Sequence, residues 1–148
     1  MTNISFYKVG GDHTAAAALV CQLLFKAAQR GQQVLCMVDS DTQAKALSEQ
    51  LWAVEPTAFI AHGYKPSDTI AIVAEQEPGD HHDLLINLRS ETPNWFSRFE
   101  RVIEVIHSEP VYQQAKRERF AFYKQRGYPL EFHDLSAKFP AQPEGISA

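Results

Sequence analysis

The sequence predicts an α/β fold in a single domain, with a largely parallel central sheet flanked by helices. Three observations carry the prediction. Short apolar runs such as QVLCMV (33–38), DLLINL (83–88) and RVIEVI (101–106) have the length and composition of buried strands. They alternate with longer stretches of helical period, which is the pattern of strand–helix–strand crossovers. At 148 residues, 45% hydrophobic and 22% charged, the chain is long enough to bury one sizeable core.

Taken in order, ISFYKV (4–9) reads as a strand, and Gly10-Gly11-Asp12 as a turn into an alanine- and leucine-rich helix running to Arg30, where Gly31 stands in the position of a C-cap glycine. QVLCMV follows as a buried strand. Asp39-Ser40-Asp41 supplies helix-start chemistry, and Ala44, Leu47, Leu51 and Val54 repeat as a core-facing stripe to about residue 54. AFIAHGY (58–64), TIAIVA (69–74) and DLLINL are strands separated by Pro, Gly, His and Asp. RSETPNWFSRF (89–99) is a loop with one short helix, and RVIEVI is another strand. Ser108-Glu109-Pro110 opens a last helix that Gly127 ends. The domain is expected to span 1–136, with 137–148, rich in Pro and small residues, as a flexible C-terminal tail.

Composition narrows the function. No apolar run approaches the roughly 20 residues that span a bilayer, and MTNISFYKVGGD lacks the basic and apolar regions of a signal peptide, so a cytoplasmic protein without membrane contact is expected. Cys21 and Cys36 fall within apolar stretches, where reduced, buried thiols are expected. The net charge is −4, yet residues 108–130 carry Lys116, Arg117, Arg119, Lys124 and Arg126 against Glu109 and Glu118, making that segment +3 and the remainder −7. An acidic body with one basic patch suits a compact acidic partner better than a long phosphate backbone.

Known site signatures are weak. The strand–glycine–helix start KVGGDHT invites a nucleotide, with Asp39 in the place of a ribose-binding acid, but neither G-x-G-x-x-G nor G-x-x-x-x-G-K-[ST] is present. Of six histidines, the tightest acidic cluster is Asp80-His81-His82-Asp83, whose neighbours point in different directions with no second ligand pair behind them. A solvated loop is expected there, with no metal and no cofactor. A buried thiol is inert, so the cysteines make poor nucleophiles, and no catalytic residue is assigned.

The last helix says more. At about 100° per residue, Val111, Ala115 and Phe122 share a line, with Tyr112 and Tyr123 beside it, as a core face. Phe120 points nearly the opposite way, among Gln113, Lys116, Arg117 and Lys124. A ring bordered by cations makes a socket for a ligand that is both acidic and apolar, although a solvated helix face with one stray aromatic carries the same pattern. Trp52 stands at the margin of the second helix's stripe, with Phe59 in the next segment. Such rings are either half-buried core or interface anchors.

ISFY, LLFKAAQRGQQVLCMVDSDTQAKALSEQLW, the F-x-x-H at Phe59 to His62, LLINL, FERVIEVI and RERFAFYKQRGY, in this order over roughly residues 3–130, resemble the chi subunit of the bacterial DNA polymerase III holoenzyme. The resemblance implies an α/β domain of nucleotide-binding-like outline without a nucleotide site, working as a non-catalytic adaptor in the clamp-loader complex. It implies capture of the acidic, Pro-Phe-ended C-terminal tail of single-stranded-DNA-binding protein, and docking on a psi subunit by a different surface. Arg117 then matches the arginine that meets the tail, Phe120 stands where a tyrosine usually lines the tail pocket, and Trp52 and Phe59 match aromatics of the psi-facing surface. The chain departs from the pattern in two places. Phe120 lacks the tyrosine hydroxyl, forgoing a hydrogen bond of about 1 kcal/mol, and Gln113 stands where some relatives have lysine.

The expected function is therefore an accessory subunit of DNA replication that reaches DNA only through its partners. Lys116, Arg117, Phe120, Lys124 and Tyr128 are the expected tail-binding residues, and Trp52 and Phe59 the psi-binding ones. Two other readings stand beside it: direct binding of single-stranded nucleic acid by base stacking on the same rings, and a small nucleotide-binding α/β enzyme using the Gly10-Gly11 turn.

Overall fold

A computed structural model describes residues 2–54, 70–74 and 81–140, with the backbone alone for 52–54. Six strands form one all-parallel sheet: β1 (Asn3–Lys8), β2 (Val34–Met37), β3 (Ile70–Val73), β4 (Leu84–Asn87), β5 (Arg101–Ile106) and β6 (Leu130–Asp134), in the spatial order β3-β2-β4-β5-β1-β6. β2, β3 and β4 are buried at every position. Strands covered on both faces read as unbroken apolar runs, which is why they were legible without alternation.

Alternate side chains of each strand enter two separate cores. Helices α1 (His13–Gln29) and α2 (Asp41–Val54) cover one face, where Val34, Cys36, Ile72, Ile86, Ile103 and Val105 pack with Leu19, Val20, Leu24, Leu47 and Leu51. The opposite face carries α3 (Pro110–Gln125), with Ile4, Phe6, Leu35, Met37, Leu85 and Val102 against Phe96, Phe99 and Tyr123.

Helix ends follow their local chemistry. The Asp12 side chain accepts from Thr14 N at 3.0 Å, and that hydrogen bond is the chief reason its carboxyl titrates below the usual range. Ser40 Oγ accepts from Gln43 N at 3.1 Å, while the Gln43 side chain reaches back to Asp39 N at 2.7 Å, a reciprocal cap. α3 opens with Pro110 in its first turn and closes at Gly127 (φ 79°), where Tyr128 N bonds back to Tyr123 O at 3.1 Å.

Two points differ from the sequence reading, the last strand and the C-terminal turn. The expected strand 58–64 lies outside the described residues. The short helix of the 89–99 segment is a single 3-10 turn, Phe96–Arg98. β6 was not anticipated: it is an edge strand, exposed from Glu131 to Asp134, and its Leu-Glu-Phe-His alternation follows Pro129, within the expected domain and short of the tail expected from 137. Finally, the described part of the expected tail packs on the domain, because Phe139 is buried in the α1 core and its carbonyl accepts from both Gly10 N (2.8 Å) and Gly11 N (3.2 Å).

Candidate functional site

The face that α3 buries differs from the one its apolar residues suggest. Tyr112, Lys116 and Tyr123 are its buried residues, whereas Val111 is 77% exposed. The predicted core line was rotated by roughly a quarter turn. The cause is Lys116, expected on the outer face and instead fully buried. Its Nζ lies 2.6 Å from Glu104 Oε1 and donates to Asn87 O at 3.2 Å. Asn87 Nδ2 (2.9 Å) also donates to Glu104, and Tyr123 OH (2.7 Å) and Thr92 Oγ1 (2.7 Å) donate to its other oxygen.

Burial, the largest influence on Glu104, favours its neutral form, but the Lys116 charge and the donated hydrogen bonds prevail and hold the carboxyl below its usual 4.5. Burial likewise draws the Lys116 ammonium below its usual 10.5, against the pull of Glu104. Lys116 is thus a structural cation clamping α3 to β4 and β5, and it is withdrawn from the surface patch.

What remains on the β6 side of α3 is a coherent group. Phe120 is half-buried, with its ring edge-to-face on Phe6 at 5.2 Å and near Phe132 at 6.4 Å. It therefore sits at the margin of the core, where the outward projection had left it isolated. Arg117 and Lys124, three residues before and four after Phe120, are exposed, and neither forms an ion pair among the described residues. Gln113, one turn before Arg117, is partly exposed.

Tyr128 turns to other neighbours, packing on Phe96 at 5.3 Å and Tyr123 at 5.9 Å. On that flank Arg119 lies over Phe122, Phe96 and Tyr123 (4.1, 5.2 and 5.1 Å), and Arg126 lies over Phe122 at 4.7 Å. These stacked guanidinium groups were not singled out in the sequence, although the R-x-x-F and F-x-x-x-R spacings of RFAFYKQR put cation and ring on one helix face. Trp52 lies in the last turn of α2, and its side chain, like the whole of Phe59, is outside the described residues.

The other candidate chemistry is spoken for or dispersed. The backbone donors of the Gly10-Gly11 turn, where a phosphate would sit in a nucleotide-binding fold, are taken by Phe139 O. A Cβ at Gly11 would stand 2.7 Å from the Ala15 side chain and 3.0 Å from Pro140 O, so this glycine is required by close packing. His81 is buried, contrary to the solvated loop expected there, while His82 is exposed. Among the described residues no group of three or more His, Cys, Asp or Glu could hold a metal ion. His107 stacks on Tyr112 at 3.8 Å and accepts from Glu109 N at 3.3 Å, and burial depresses its protonation. Both cysteines are buried and free, and burial pushes the Cys21 thiol up to about 12. No helix among the described residues is long and apolar enough to cross a membrane.

Comparison with known proteins gives the family and the fold. The family model described as DNA polymerase III chi subunit, HolC, matches residues 1–131. DNA polymerase III subunit chi of Pseudomonas aeruginosa is 39% identical over 139 residues, covering 91% of this chain and 98% of the relative. Its counterpart in Escherichia coli is 28% identical over 141 residues, covering 88% and 96%. Among solved structures, that of T4 UvsW superposes with a TM-score of 0.63 at 9% identity, over 91% of this chain and 42% of that one, a likeness of fold alone.

Proposed function

Because the chain belongs to the DNA polymerase III chi subunit family, a family of replication accessory subunits, we propose that it is a non-catalytic adaptor of the clamp-loader complex. It captures the acidic, Phe-ended tail of single-stranded-DNA-binding protein on the β6 side of α3 and docks on a psi-type subunit through the surface of Trp52 and Phe59. It works in the cytoplasm, without cofactor, and meets DNA only through its partners.

The observation that carries the tail site is Phe120, anchored on Phe6 at 5.2 Å and flanked by Arg117 and Lys124, two exposed cations without an acidic partner among the described residues. The cations steer and pair the carboxylates, and the ring supplies apolar contact. Neither is sufficient alone, since exposed charge pairs are weak and salt-screened. Burial of one terminal Phe adds roughly 2 kcal/mol, for a complex of about micromolar affinity. Lys116 takes no part, being consumed by Glu104. Tyr128 contributes indirectly, by packing the aromatic cluster beneath the C-terminal end of α3.

Calorimetric titration with an acidic peptide ending in Pro-Phe, run beside an oligonucleotide and a nucleotide, tests the reading. Saturable binding of the peptide alone, weakened about tenfold or more in Arg117→Ala, supports it. Absence of peptide binding, or indifference to Arg117→Ala and Lys124→Ala together, overturns it. Loss of a co-purifying subunit in Trp52→Ala, with peptide binding intact, separates the two surfaces.

A further inference from the structure

Phe132 is one of two large hydrophobic side chains exposed among the described residues, at 51%. It stands on β6, the last strand of the sheet, which pairs with β1 alone among the described residues. In that register Phe132 is opposite Phe6, on the α3 face, while Glu131 and His133 turn to the other face, where His133 meets Tyr7 at 5.0 Å. Phe6, Phe120 and Phe132 thus form an edge-to-face series running out of the core to solvent, and the outermost ring ends at the seam between α3 and β6. The acids of β6 are engaged locally, since Glu131 is 3.1 Å from His133 and the Asp134 carboxylate accepts from Ser136 N and Oγ. Among the described residues the charge beside the seam that forms no ion pair is positive, from Arg117 and Lys124, which flank Phe120 on α3.

Building on the tail-capture reading above, we propose that Phe132 is a specificity-determining wall of the same site: the terminal aromatic side chain of the acidic peptide lies on the exposed Phe132 ring over the α3–β6 seam, with its carboxylates toward Arg117 and Lys124. The site selects an aromatic end because the surface it must cover is itself the open end of an aromatic series. An acidic peptide without that ring leaves Phe132 in water and retains only the screened charge contacts.

The test is a double-mutant cycle on the full chain, by calorimetry at one fixed salt concentration. The chains are wild type, Phe132→Ala and Phe132→Leu, and the peptides are an acidic peptide ending in Pro-Phe and the same peptide ending in Pro-Ala. Phe132→Ala is expected to weaken the Phe-ended peptide about tenfold and Phe132→Leu by about threefold, with the Ala-ended peptide bound equally weakly by all three. Thermal unfolding checks that each variant folds, as a half-exposed edge residue allows. If Phe132→Ala binds the Phe-ended peptide like wild type while Arg117→Ala does not, the wall assignment is wrong and the tail site survives. If Phe132→Ala weakens both peptides alike, the ring does not read the terminal side chain and the assignment is again wrong. Absence of binding by wild type removes both readings together.

Discussion

Lys116 and Glu104 meet at 2.6 Å with both side chains fully buried, α3 supplying the cation and β5 the anion. Arg117 follows Lys116 directly, and Phe120 stands one turn further on. The buried pair therefore sets the rotation of the helix about its axis, and through it the direction in which the surface cations point.

Removing one partner leaves the other charged and buried. Lys116→Ala is expected to destabilise the protein by about 3–5 kcal/mol, whereas the double replacement Lys116→Met with Glu104→Gln restores a substantial part of the loss. Urea denaturation of the three chains measures it. A single variant as stable as wild type would show that the pair does not clamp the helix.

Acid weakens the fold in two stages. His107 is held below its usual 6.5 by burial, so the unfolded chain takes up that proton first, and stability present above pH 6.5 is lost as the pH falls through the lower folded value. Glu104 is held below 4.5, so its share is present above pH 4.5 and declines under more acidic conditions. Denaturation midpoints measured from pH 8 to pH 3 should show both limbs, and His107→Gln should flatten the upper one alone.

Gly11→Ala should cost about 1–3 kcal/mol, since its Cβ would meet Ala15 at 2.7 Å and Pro140 O at 3.0 Å and the packing has to give. Release of the 136–140 turn should accompany it, seen as faster limited proteolysis after Lys138. Unchanged cleavage together with unchanged stability would mean that the clasp at Phe139 contributes little.

The thiols should be silent. Burial raises Cys21 to about 12 and raises Cys36 further. At pH 8 an aromatic disulfide reagent should label neither on the timescale on which it labels both in denaturant. Rapid labelling of the folded chain would contradict the burial of these residues.

Much of the fold was legible because a parallel sheet writes itself as apolar runs, and because glycine, proline and capping side chains mark helix ends within a residue or two. The face of α3 was not. A lysine is read as exposed unless its partner is known, and Glu104 lies twelve positions earlier in what reads only as a strand. With Lys116 assigned to solvent, Val111 and Ala115 took its place in the core and Phe120 was turned outward. β6 escaped for the opposite reason: on an exposed edge strand the apolar residues are too few to form a run, and only the alternation Leu130, Phe132 against Glu131, His133 marked it. The charges at Arg117 and Lys124 needed no such context and stand exposed as expected. Trp52 and Phe59 rest on family likeness, since neither side chain lies among the described residues.

The carbonyl of Phe139, seated on the amides of Gly10 and Gly11, joins the first crossover to the last described turn like a belt buckle. Pro140 consequently emerges beside the start of α1, on the far side of the sheet from α3, Arg117 and Phe132. A fluorophore placed on the exposed Lys138 therefore sits at the back of the molecule, on the opposite face of the sheet from the α3–β6 seam.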